Sequence, residues 1–96
     1  MAAELISIEE YCRHHHTEIT FINALKDNGL IQVIYAESSP CIDAEELEQL
    51  EKYTRLYNEL ELNIPGIEVV NVLLEKMETM QHRIQELEYK LHFYQE

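Results

Sequence analysis

Positive charge is what this sequence has least of: seven Lys and Arg stand against nineteen Asp and Glu, for a net charge of −12. Such a chain repels phosphate backbones, because affinity for nucleic acid comes largely from cations that displace condensed counterions. Nucleic acid is therefore a disfavoured partner, and a basic or amphipathic protein suits the charge better. Long apolar runs are missing too. Nothing approaches the roughly 18 consecutive apolar residues of a membrane span. Glu4, Glu9 and Glu10 stand where a secretory leader carries basic and then apolar residues, so the cytosol is the expected compartment.

Cysteine is scarce. Cys12 and Cys41 share no C-x-x-C spacing and read as small buried hydrophobes, not as zinc or redox ligands. The sequence also lacks a Gly-rich phosphate loop, a nucleophile elbow and any carboxylate pair set apart from the general acidic background. No enzyme activity and no cofactor are expected. His14, His15 and His16 are consecutive, and on a helix such a triplet fans over about 200°, so the three do not converge on one metal.

What is present suffices to fold. An apolar fraction of 46% and six tyrosines exclude a disordered acidic tail, while 96 residues allow a single core. Ser7 and Glu10 form a capping-box pattern, with Ile6 and Tyr11 as its hydrophobic staple, and predict a helix over 8–15. A second helix is expected over 18–28, capped by Thr17 and stopped by Gly29, so the two make a helix-turn-helix. The outward arc of the second helix holds Thr20, Asn23, Ala24 and Asp27, where a DNA-reading helix needs Arg or Lys on phosphates. Residues 1–42 offer only Arg13 and Lys26 as cations against six acids.

The β-branched and bulky residues of 30–35 predict a strand, with a turn over 37–40 and a short return through Cys41 and Ile42. Pro40 fits such a hairpin, or wing, if the return strand is an edge. Asp43 with Glu46 repeats the capping box, so a third helix is expected from Ala44. Its buried stripe is Leu47, Leu50, Tyr53, Tyr57 and Leu60. The opposite arc carries Glu45, Glu48, Glu51, Lys52, Arg55 and Glu59, with Glu48–Lys52 and Glu51–Arg55 as i,i+4 pairs.

Asn63, with Pro65 in the first turn, opens a last helix. Along it Val70, Leu73, Met77, Met80, Ile84, Leu87, Leu91 and Tyr94 alternate steps of three and four, an a/d heptad seam. With no Gly or Pro after Gly66, the helix reaches roughly 40 Å, longer than so small a body can cover. A second copy is the expected partner of the seam, and the chain is read as a homodimer. Ile67, Val69, Val72 and Leu74 widen the apolar face near its start and are expected against the body. Met77 and Met80 read as coiled-coil filler. Tyr89 and Phe93 lie off the seam, and pairing of Arg83 with Glu88 across a parallel dimer is too weak to fix the orientation.

The resulting fold class is mainly α: a winged helix-turn-helix body over 1–62, and over 63–96 a long coiled-coil dimerisation helix packed on it as part of one structural domain. In element order the chain resembles MerR-type winged-helix regulators. Through Ile8-Glu9-Glu10-Tyr11-Cys12, Asn28-Gly29-Leu30-Ile31, Asn63-Ile64-Pro65-Gly66-Ile67 and the ending from Leu87 to Tyr94, it is similar to the CbpM chaperone modulators within that group. The MerR resemblance implies a DNA-binding transcriptional regulator, although the second helix lacks the basic side chains typical of that group. The modulator resemblance implies binding to the J-domain of a DnaJ-like co-chaperone of the CbpA type, inhibiting it by occlusion. Candidate contacts are Glu45, Glu48, Glu51 and Glu59 on one face, and Thr20, Asn23 and Asp27 on another.

Overall fold

A computed structural model describes residues 4–95; residues 1–3 and 96, at the ends of the two expected segments, lie outside the described residues. In chain order these residues form β1 (Leu5–Ser7), α1 (Ile8–His15), α2 (Ile19–Asp27), β2 (Ile34–Ala36) and β3 (Ser39–Asp43). A 3-10 turn (Ala44–Glu46), α3 (Leu47–Leu60) and α4 (Ile64–Tyr94) follow. The architecture is mainly helical, a small winged helix-turn-helix body that ends in one long helix.

Ser7 caps α1 with an extended backbone, its Oγ accepting the Glu10 amide at 3.4 Å. At the other end His16 turns left-handed, with φ 50°, and the amides of His16 and Thr17 both return to the Cys12 carbonyl. Thr17 is thereby tied into the ending of α1 and does not cap α2 as expected. Glu18 takes that position, its carbonyl accepting the amides of Phe21 and Ile22 at 3.1 and 3.4 Å. The Thr17 hydroxyl is left buried without a partner. α2 stops at Gly29 as read: φ is 75°, and bonds from Leu30 N–H to the Leu25 carbonyl and from Gly29 N–H to the Lys26 carbonyl close a Schellman ending.

The hairpin acquires a strand that the sequence did not announce. β1 pairs with β3 through Leu5↔Asp43, Ile6↔Ile42 and Ser7↔Cys41, and β2 pairs with β3 through Ile34↔Cys41, Tyr35↔Pro40 and Ala36↔Ser39, all antiparallel. The return strand β3 is thus central and not an edge. Pro40 survives there because pairing with β1 ends at Cys41, so the proline has a neighbour on one side only. The expected strand over 30–35 shrinks to Ile34–Ala36, because Ile31 is buried and Leu30 and Val33 pack on the core as irregular chain. Glu37 and Ser38, with φ of 51° and 68°, make a two-residue hairpin turn with left-handed backbone at both positions.

Asp43 caps the next helical segment, its Oδ1 accepting the Glu45 amide at 2.9 Å. Glu46, the expected second half of that capping box, instead accepts the Gln32 amide at 3.4 Å. The first turn is accordingly 3-10, and α3 proper starts at Leu47. The core gathers Ile8, Tyr11, Phe21, Ile22, Leu25, Ile42, Leu50, Tyr53 and Ile67 from every helix and from the middle strand, with Ile31 from the chain between α2 and β2. Tyr57 and Leu60, expected in the buried stripe, are exposed, Leu60 by 63%, because the last turn of α3 runs past the core. Tyr57 keeps one ring face stacked on Phe21, with centroids 4.1 Å apart. Thr54 is buried in their stead.

Asn63 caps α4 as expected, accepting the Gly66 amide at 2.9 Å, with Pro65 in the first turn. Ile67 enters the core, and Gln49 Nε2 donates to Asn71 Oδ1 at 3.0 Å, fastening the start of α4 to α3. Val69, Val72 and Leu74, expected against the body, are exposed. The molecule measures 61 × 37 × 21 Å, elongated by the free length of α4.

The Thr54 hydroxyl donates to the Leu50 carbonyl at 2.8 Å, which leaves the Tyr11 O–H to donate to Thr54 Oγ1 at 2.6 Å. Burial pushes the Tyr11 phenol up, the Thr54 hydrogen bond opposing, and burial also pushes the Cys12 thiol up. An acid raised on folding stabilises the fold fully below its unfolded value and loses that contribution as pH rises through the folded one. Stability is therefore expected to fall above about pH 9 to 10. Urea melts at about pH 8 should show Tyr11→Phe less stable by about 1 kcal/mol, with a shallower alkaline loss than the parent.

Candidate protein-interaction surface

The helix-turn-helix presents a face that is polar but not basic. Thr20, Asn23 and Asp27 are exposed along α2, while Ala24 is half-buried. The Thr20 hydroxyl donates to Glu18 Oε2 at 3.1 Å, and Asn28 Nδ2 donates to the Ala24 carbonyl at 2.8 Å. Between residues 19 and 43 the one cation is Lys26, and its side chain is half-buried. The tip of the wing is Glu37 and Ser38, both exposed. Arg13 is exposed on the last turn of α1. A helix and wing that grip DNA need several cations on phosphates, and α2, β2 and β3 together carry only that one.

An aromatic side chain stands beside this acidic tip. Tyr35 pairs with Pro40 across the hairpin and is 63% exposed. Pro40 and Ile42 lie two apart on β3, so Tyr35 shares the sheet face that covers the core but reaches beyond it. Sequence reading placed Tyr35 within the expected strand over 30–35 and did not single it out as surface. The available signal was its place next to a two-residue turn, where a strand face outruns its cover.

The acidic arc of α3 divides in two. Glu45, Glu48 and Glu59 are exposed, whereas Glu51 is half-buried and held by His15, whose Nε2 lies 3.2 Å from Glu51 Oε2. Neither expected i,i+4 pair closes among the described residues. Lys52 instead sits over the Tyr53 ring, 5.9 Å from its centroid, and Arg55 lines a groove of about 300 Å³. That groove runs between α1 and α3 and is lined by His15, Glu51, Thr54, Arg55, Asn58 and Glu59. The structure therefore brings Glu51 and Glu59 to one groove. Glu45 and Glu48 lie toward the start of the segment, and Thr20, Asn23 and Asp27 belong to a different helix.

Most of the exposed large hydrophobic side chains among the described residues belong to α4. Val70 is half-buried, but Leu73, Met77, Met80, Ile84, Leu87, Leu91 and Tyr94 are exposed by 47% to 81%. Tyr89 and Phe93 are exposed beside them, and Phe93 meets Tyr94 edge to face at 5.5 Å. Arg83 and Lys90 both turn to Glu86 within the same helix, at 3.4 and 3.7 Å. Soluble monomers seldom leave a continuous apolar stripe of this length open.

Among the described residues, no group of three or more His, Cys, Asp and Glu stands close enough to hold a metal ion. His14 and His16 are exposed, while His15 is half-buried and stacks on Tyr11; His16 lies past the end of α1 in left-handed backbone, so the triplet is not the continuous helical run expected. No described helix is long and apolar enough to cross a membrane. Compared with known proteins, residues 6–89 match the family model described as MerR HTH family regulatory protein. No curated protein matches the chain.

Proposed function

The chain belongs to the MerR HTH family, and on that scaffold we propose a cytosolic protein-protein modulator of the CbpM type. Its target is the J-domain of a DnaJ-like, CbpA-type co-chaperone. The observation that carries this reading is the scarcity of cations on the helix-turn-helix and wing, where the exposed Arg13 of α1 and the half-buried Lys26 of α2 are the two present. A J-domain engages its partner chaperone through a basic helix, and an acidic surface that covers this helix inhibits by occlusion. Charge complementarity sets encounter rate and partner choice, and exposed aromatics such as Tyr35 supply the apolar contact that affinity also needs. The contacts are Glu45, Glu48, Glu51 and Glu59 on the α3 side, and Thr20, Asn23 and Asp27 on the α2 side. Nothing in this task requires bond-making chemistry or a cofactor.

Two copies pair through the open stripe of α4, with Val70, Leu73, Met77, Met80, Ile84, Leu87, Leu91 and Tyr94 as the seam. The support is the length of helix left uncovered: past Val70 and Asn71 every described residue of α4 is exposed. A second copy offers an equally long and equally apolar face, which satisfies both at once. A second functional reading, a DNA-binding transcriptional regulator, is favoured by the family match and by the intact helix-turn-helix.

Titration against a CbpA-type J-domain tests the first reading. Binding is expected at low salt, weakening about tenfold or more as salt rises from about 0.05 to about 0.3 M. No binding at low salt, or binding indifferent to salt, contradicts it. For the seam, sedimentation of the parent is expected to give a dimer, and Ile84→Lys combined with Leu87→Lys a folded monomer. A parent that sediments as a monomer at tens of micromolar would remove α4 from the account.

A further inference from the structure

His15 is the member of the histidine triplet that the proposed function leaves unused, and its surroundings are unusually constrained. Its ring stacks flat on Tyr11, with centroids 4.1 Å apart and planes 16° from parallel. Nδ1 lies 3.2 Å from the Tyr11 carbonyl oxygen, and Nε2 lies 3.2 Å from Glu51 Oε2. Both oxygens only accept hydrogen bonds, and a neutral imidazole carries a single N–H. The two bonds therefore form together only on the imidazolium. Tyr11 is itself fixed through Thr54, so the ring has little freedom to find other partners.

We infer that His15 is a proton-controlled strap between α1 and α3 that sets the charge of the groove beside it. Protonated, it ties the last turn of α1 to α3 and neutralises Glu51. Deprotonated, it keeps one of the two bonds at most, and Glu51 presents its full charge to the groove. The other groups facing the pair are the Tyr11 phenol on α1 and Arg55 and Glu59 on α3, with Thr54 and Asn58 as neutral lining. Acid closes the two-bond strap and base opens it, because only the protonated ring has a donor for each of the two acceptors. As the proton is lost the strap contributes less to folding, while the groove becomes more acidic. Resting on the proposed function for the identity of the partner, this predicts that a basic J-domain is held more tightly at the higher pH.

A double-mutant cycle on His15→Gln and Glu51→Gln tests the strap without any partner. Urea unfolding at about pH 5.5 is expected to show a coupling of roughly two- to threefold in the unfolding constant, and a clearly smaller coupling at about pH 8.5. Equal coupling at both values, or none at the lower one, overturns it. His14 and His16 stay in every variant and cancel within the cycle. In the second arm, parent affinity for the J-domain is expected to gain about twofold more than that of His15→Gln between the same two values. An identical gain in both refutes the effect on the partner. A J-domain that binds at neither pH refutes the proposed function and that effect together, and the cycle still decides the strap.

Discussion

The constraint on which this molecule depends is the size of its core. Ile8 and Tyr11 from α1, three residues of α2, Ile42 of β3, Leu50 and Tyr53 of α3 and Ile67 of α4 meet at one centre, with Ile31 closing it from the connecting chain. That set is large enough to hold three short helices against a three-stranded sheet. It is not large enough to cover a helix of 31 residues, so α4 is anchored by its first turns and leaves the body with its apolar stripe open. A small domain buries proportionally less of its surface than a large one. Here most of the exposed large hydrophobic side chains among the described residues are concentrated on α4.

Electrostatics then decides what the body presents. The left-handed ending at His16 and the Schellman ending at Gly29 set the angles of a helix-turn-helix, and a positive-φ pair at Glu37 and Ser38 sets the wing. The geometry that a reader of the double helix would use is in place, yet the side chains on it are Thr20, Asn23, Asp27, Glu37 and Tyr35. The backbone keeps the scaffold, while the side chains on it are mostly neutral or acidic. The His15–Glu51 contact belongs to the same picture, because it places one titratable group where the net charge of an acidic groove is settled.

Much of this was legible in the sequence because it was written in local chemistry. Ser7, Asp43, Asn63 and Gly29 each act where their side chain or backbone freedom is needed within three or four residues, and all four fall as read. What was not legible depended on distant contacts. β1 is three residues long and exists because Ile6 finds Ile42, with 35 residues lying between them. Glu46 left its capping box because the Gln32 amide offered a partner across the fold. Tyr57, Leu60, Val69 and Val72 continued their helical stripes on paper but lie beyond the core, since periodicity says which face is apolar and not where its cover ends. Thr20, Asn23, Asp27, Glu45, Glu48 and Glu59 lie exposed, whereas the half-buried Glu51 and its tie to His15 required the packing of α1 on α3.

The central claim is that this helix-turn-helix has given up the cations that hold DNA. Fluorescence anisotropy of the full chain against labelled duplexes at physiological salt measures it directly. The account predicts no complex below about 1 μM protein on any sequence, in keeping with a surface that neutralises almost no phosphates. A complex of nanomolar affinity on a defined site, weakening steeply with salt as several phosphate contacts would require, would contradict it.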